Sequence, residues 1–212
     1  REQALRITRE IIIGCRKAIQ SIHQNMMKEA QVNIKKASDN LQNLYNLTKN
    51  HPEVYHAGFV ENAAQELVEA SCLYNIINGE NLPDPDELQT TYSSYLLGLC
   101  DLVGELRRSA LDAIRHNKSK EAENYLNMME NIYDVIIRFD YPSALIPIRK
   151  KQDIARNLIE KTRGEIAVAT CERRIEYHTD EFRGILDKIN GEKKKIKDKK
   201  EVDKDLDIDK IW

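Results

Sequence analysis

Aromatic residues make up only 6% of this chain, and glycine and proline are sparse, with 8 and 5 copies. Few strand-favouring residues remain once Leu, Ile, Ala, Glu and Lys are counted, so sheet architectures give way to helical ones. No run of about 18 apolar residues occurs, so no transmembrane helix and no membrane partner are expected. A surplus of one charge sign is also missing. Charged residues are 32% of the chain, yet the net charge is −2. Bulk charge therefore excludes an indiscriminately basic nucleic-acid binder, and any such role must rest on local patches. Cysteines number four, Cys15, Cys72, Cys100 and Cys171, without a CxxC pair, which argues against zinc. Each lies among apolar residues, so four buried thiols in a reducing, cytoplasmic setting are expected. No Walker loop or GxGxxG fingerprint occurs, and no secretory leader is visible.

What is present is helical periodicity. Ile7, Ile11, Ile12, Cys15, Ala18, Ile19 and Ile22 recur at three- and four-residue spacing from Glu2 to about Met27. A second helix is expected over about 28–48, with no Pro or Gly to mark its start. A third spans about 52–77 and ends at Asn78-Gly79. After a loop holding Pro83 and Pro85, Asp84 or Asp86 is expected to cap a fourth helix that runs to about His116. A fifth spans about 119–138, and a sixth runs from about Ile148 beyond Cys171, to about Asn190. The fold class is all-α, with six to seven long, mostly antiparallel helices in a bundle. The expected division is a helical domain over 1–175 and a helical or flexible charged extension over 176–212.

Two of these helices are apolar nearly all round, which implies burial on most sides. Each nevertheless keeps a pair of acids. Glu66 and Glu69 are three apart in the third helix; Asp101 and Glu105 are four apart in the fourth. Gly98 and Gly104 flank the second pair and would let a ligand or neighbour approach closely. Acids at these spacings commonly face water or pair with Lys and Arg, and spacing by itself favours that plain reading. The apolar wrapping favours the other one. Clustered buried carboxylates need a positive partner, either Arg108 or a divalent cation. An all-carboxylate donor set without His or Cys suits Mg²⁺. Metal-storage bundles use Glu-x-x-His pairs instead, and Glu176-Tyr177-His178 lacks that spacing.

The segments that carry the acids also carry a resemblance. Gln65-Glu66-Leu67-Val68-Glu69-Ala70 and the stretch from Tyr95-Leu96-Leu97-Gly98 through Asp101-Leu102-Val103-Gly104-Glu105-Leu106 to Arg108 resemble the QExxEA and YLLGxxDLxGELxR motifs of the translin family, in its translin-associated factor X type. Ser21-Ile22-His23 and residues 158–169 echo it more weakly, and the likeness spans roughly residues 5–175. The resemblance implies a translin-like bundle that assembles into a hollow homo-oligomer, typically an octamer, and binds single-stranded RNA or DNA. It also implies a Mg²⁺-dependent endoribonuclease, with Mn²⁺ as an alternative ion. Matched motif by motif, the catalytic and metal-binding acids fall on Glu66, Glu69, Asp101 and Glu105. The doubled Arg107-Arg108, where eukaryotic members have one arginine, departs from the pattern, and the compact chain is similar to archaeal homologues that assemble with themselves. Candidate nucleic-acid contacts are Arg108, Arg107, Arg9, Arg16 and Lys17, each also explicable as an ordinary solvated side chain. The competing expectations are a non-catalytic single-stranded nucleic-acid binder and a scaffold without nucleic acid.

Overall fold

In a computed structural model, residues 1–142 and 146–206 are described, with side chains through residue 190. The described residues form seven α-helices and no strand: α1 (Glu2–His23), α2 (Met27–Thr48), α3 (Pro52–Tyr55), α4 (Gly58–Asn78), α5 (Tyr92–Arg115), α6 (Ser119–Ile136) and α7 (Ile148–Leu206). They make two units, Arg1–Ile166 and Ala167 onward. The break therefore falls nine residues before the Ile175 boundary expected from sequence. The second unit, as far as it is described, is the continuation of α7, helical to Leu206.

The helix ends follow from local chemistry. The break between α1 and α2, unmarked by Gly or Pro, is made by Asn25 at φ 58°. Its amide bonds to the Ile22 carbonyl at 2.9 Å and that of Met26 to Ser21 at 2.8 Å, satisfying carbonyls the helix leaves open. Asn117, at φ 61°, closes α5 in the same way. Gly79, at φ 73°, ends α4 where expected. The expected third helix is divided, because the chain turns between α3 and α4 at His56 and Ala57. The cap of α5 is neither Asp84 nor Asp86. Thr91 caps it, its Oγ1 accepting from the Ser94 amide at 3.1 Å. Asp84 instead accepts from the Glu87 amide at 2.8 Å and closes the preceding turn.

Within the first unit α4 packs against α1, α2 and α5, and α5 packs against α4 and α6. That central position explains the apolar wrapping of both helices. Leu67, Val68 and Leu73 of α4 and Leu102, Val103 and Leu106 of α5 are fully buried. Gly98 is where α4 and α5 meet most tightly. A Cβ there would stand 2.7 Å from Val68 Cβ and 2.8 Å from the Gln65 carbonyl oxygen. The close neighbour at Gly98 is thus helix α4. The start of α7 is tied to α6 by Gln152, whose buried amide donates to the Ile136 and Phe139 carbonyls at 2.8 and 2.9 Å. Of the four cysteines, Cys15, Cys72 and Cys100 are buried as expected, whereas Cys171 is exposed.

Candidate carboxylate site

The α4–α5 crossing aligns the two acid pairs. Glu69 lies within the electrostatic reach of Asp101, Glu105 and Glu66 together. Burial, first, and then those three neighbours push its carboxyl up to about 8. Glu66 is also raised, chiefly by burial, with Arg16 opposing. Glu105 moves the other way, held below the usual carboxylate range mainly by a hydrogen bond from His23 and further by Arg108. The acids thus form one electrostatic cluster, in which Glu69 is the carboxyl raised furthest. Beneath them the Cys15 thiol is pushed far up by burial and by Glu66 and Glu69, so it is inert as a nucleophile.

Three helices supply basic partners. From α1, Arg16 reaches Glu66 at 3.6 Å, and His23 Nε2 lies 2.6 Å from Glu105 Oε2. From α5 itself, Arg108 lies 3.7 Å from Glu105. From α7, Lys151 forms a short ion pair with Asp101 and donates to Gln65 Oε1 at 3.4 Å. Lys151 and His23 escaped sequence reasoning. Their signal was positional: Lys151 stands three residues after buried Ile148 and four before buried Ala155, at an inward register of α7. His23 follows Arg16 by seven residues and so shares its face of α1.

The other basic candidates divide. Arg107 is turned away from the acids, its guanidinium bonded to Thr162 Oγ1 at 2.7 Å and Glu165 Oε1 at 2.9 Å. Arg9 and Lys17 are exposed on α1, with Arg9 beside Arg6 at its beginning. Next to Glu105 opens a cleft of about 480 Å³, whose walls include Gln20, His23, Arg107, Arg108, Asp112 and Arg115. Glu53 and His56 do stand at Glu-x-x-His spacing, but both are exposed at the short α3, where Glu53 faces His51 at 3.6 Å.

The donor set is oxygen-rich, acidic and partly sheltered, which fits a hard divalent cation. The high Glu69 carboxyl reflects burial first and then the negative charge of its three acid neighbours. Among the described residues, no three acids, histidines or cysteines already surround a common ligand point. Glu66, Asp101 and Glu105 are turned toward Arg16, Lys151 and His23 instead.

Comparison with known proteins places the chain. The translin family model matches residues 1–164. An uncharacterized protein of Methanocaldococcus jannaschii is 36% identical over 168 residues, covering 78% of this chain and 74% of the relative. Among solved structures, the AfC3PO–duplex RNA complex superposes with a TM-score of 0.76 at 36% identity, covering 82% of this chain and 90% of the other. The crystal structure of AfC3PO gives 0.75 at 37% identity, covering 81% and 90%. The matched segment contains both acid-bearing helices whole, and the chain belongs to the translin family.

Proposed function

We propose that this protein binds RNA and cleaves it endonucleolytically with the help of Mg²⁺ or Mn²⁺ held by Glu66, Glu69, Asp101 and Glu105. The observation that carries this reading is the Glu69 carboxyl, buried among three other acids and raised to about 8. A merely structural site has no reason to keep an acid buried beside three others, because a neutral residue of similar size would avoid both the desolvation and the repulsion. RNA as the ligand is supported by the AfC3PO neighbour, whose complex contains duplex RNA. Single-stranded RNA is the proposed substrate, with single-stranded DNA as a further ligand, and self-assembly into a hollow octamer is the proposed form.

When bound, such a cation supplies an activated water and neutralises charge on the phosphodiester. The chain's own residues do the rest. Glu69 holds a proton at its carboxyl near neutral pH and releases it to join the donor set. His23 Nε2 fixes the orientation of Glu105. Arg108 stands at the edge between Glu105 and the adjoining cleft, where its planar fork can take a phosphate. That cleft, with Gln20 and Arg115 on its walls, has room for one nucleotide beside the acids. Arg9, Arg16 and Lys17 continue the basic track along α1. Arg107 also lines that cleft while bonded to Thr162 and Glu165.

A second reading, an RNA binder without cleavage, is favoured by one specific observation: Glu66, Asp101 and Glu105 each already have a cationic partner, Arg16, Lys151 and Arg108. Labelled single-stranded and duplex RNA incubated with Mg²⁺ or with chelator separates the two. Cleavage only with Mg²⁺, lost in Asp101→Ala and Glu105→Ala while the fold and RNA binding persist, supports the enzyme. A mobility shift without cleavage supports the binder. Full activity in a clean Asp101→Ala preparation would sink the enzymatic assignment.

A further inference from the structure

The basic partners of the acids are not equivalent. Arg16 stands against Glu66, and His23 and Arg108 stand against Glu105. Lys151 is in direct contact with Asp101 and is also within electrostatic reach of Glu66 and Glu69. Its ammonium therefore answers to three of the four carboxylates, which is the place a shared cation would take. It also bridges the two acid-bearing helices, because its second acceptor, Gln65 Oε1 at 3.4 Å, lies on α4 while Asp101 lies on α5.

The ammonium and the acids differ in how firmly they are held. The acids are carried by two helices that meet tightly at Gly98. Lys151 reaches them from the first turn of α7 on a flexible four-carbon stem, and its side chain is 26% exposed. A hard divalent cation binds carboxylate oxygens directly and needs their lone pairs. An ammonium seated on Asp101 occupies one of those oxygens and repels a second positive charge placed beside it. The lysine and the cation thus compete for one carboxylate, and the lysine is the group with a way out.

We propose that Lys151 is the resident counter-ion of the acid site, holding Asp101 until a divalent cation displaces its ammonium and takes over the carboxylate. The inference rests on reading the four acids as a divalent-cation site, though not on RNA cleavage. Lys151 is a positioning residue. It keeps Asp101 aligned with α4 in the empty protein and sets the cation concentration at which the site fills. The pairing of Asp101 with a lysine is then the empty state of a cation site.

Mn²⁺ binding to the full chain, read from the loss of the free-ion electron paramagnetic resonance signal, tests this without reference to activity. Lys151→Met keeps an apolar stem and removes the charge. It should tighten Mn²⁺ binding by about 10- to 100-fold, the scale on which groups bonded to a metal's ligands shift its affinity. Without Mn²⁺ the same variant should unfold at a lower temperature than the parent, and saturating Mn²⁺ should close the gap. Arg163→Gln removes a positive charge roughly 18 Å further along α7 and should leave the affinity unchanged. A second measurement needs no variant: Mg²⁺ should speed acylation of Lys151 in the parent protein, while exposed Lys150 reacts equally with and without it. Mn²⁺ binding by Lys151→Met that is unchanged, weaker, or matched by Arg163→Gln overturns the displacement, as does Lys151 acylation indifferent to Mg²⁺. In those cases Mn²⁺ binding by the parent that Asp101→Asn abolishes leaves the cation site standing. No Mn²⁺ binding by either the parent or Lys151→Met overturns both.

Discussion

Replacing Glu69 by Gln tests the electrostatic reading of the site most directly. In the folded protein this carboxyl titrates near 8 instead of the ordinary 4.5. Between those values the folded state keeps a proton that the unfolded chain has released, so stability falls as pH rises from about 4.5 to 8 and levels off above. Full expression of that shift amounts to an upper limit on the order of 5 kcal/mol by pH 8. The cluster lies in a partly open cleft, with Asp101 and Glu105 side chains 37% and 23% exposed. Water and salt screen it, and about 1–2 kcal/mol is the expected size. Glu69→Gln removes the titration without removing the volume. Its urea midpoint should match the parent protein near pH 4.5 and exceed it by that amount at pH 8, equivalent to roughly 3–8 °C in Tm. The same variant should lose Mg²⁺-dependent cleavage, so stability rises as function falls. Parallel pH–stability curves for the two proteins would show that Glu69 ionises normally and would refute the reasoning.

Gly98→Ala should drive a methyl group into Val68 and the Gln65 carbonyl and part α4 from α5; a loss of about 1–3 kcal/mol in denaturant unfolding is expected, only partly recovered by adding Val68→Ala. Gln152→Ala leaves the Ile136 and Phe139 carbonyls without their donor, and a loss of about 1–3 kcal/mol, with faster amide exchange at the start of α7, should follow. Thr91→Ala removes the cap of α5 and should cost about 1 kcal/mol by the same unfolding assay, with Thr91→Ser nearly neutral.

Much of the fold was legible because helix periodicity is a local property. The apolar positions of α1, α2, α4 and α5 follow from spacing, and Gly79 and Asn117 end their helices where the pattern stops. The misplaced details share a cause. Asn25, Thr91 and the turn at His56 are choices among several residues able to break or cap a helix, and neighbouring packing selects between them. The acid pairs were visible as residues and recognisable as a family motif. Their basic neighbours were not, because Lys151 stands 50 residues from Asp101 and His23 stands 82 from Glu105.

The carboxylate cluster divides along the same line. Sequence alone determined that Glu66 and Glu69 share one helix face and that Asp101 and Glu105 share another, since helical geometry dictates which residues align. It also determined that both helices are buried on most sides. Only tertiary structure decided that the two faces meet, with Gly98 drawing α4 against α5. Only tertiary structure decided that burial and three neighbouring acids raise Glu69 while His23 holds Glu105 low. The physical reason is range. Backbone hydrogen bonding and side-chain periodicity act over a few residues, whereas carboxyl ionisation answers to every charge and every lost water nearby, whatever its place in the chain.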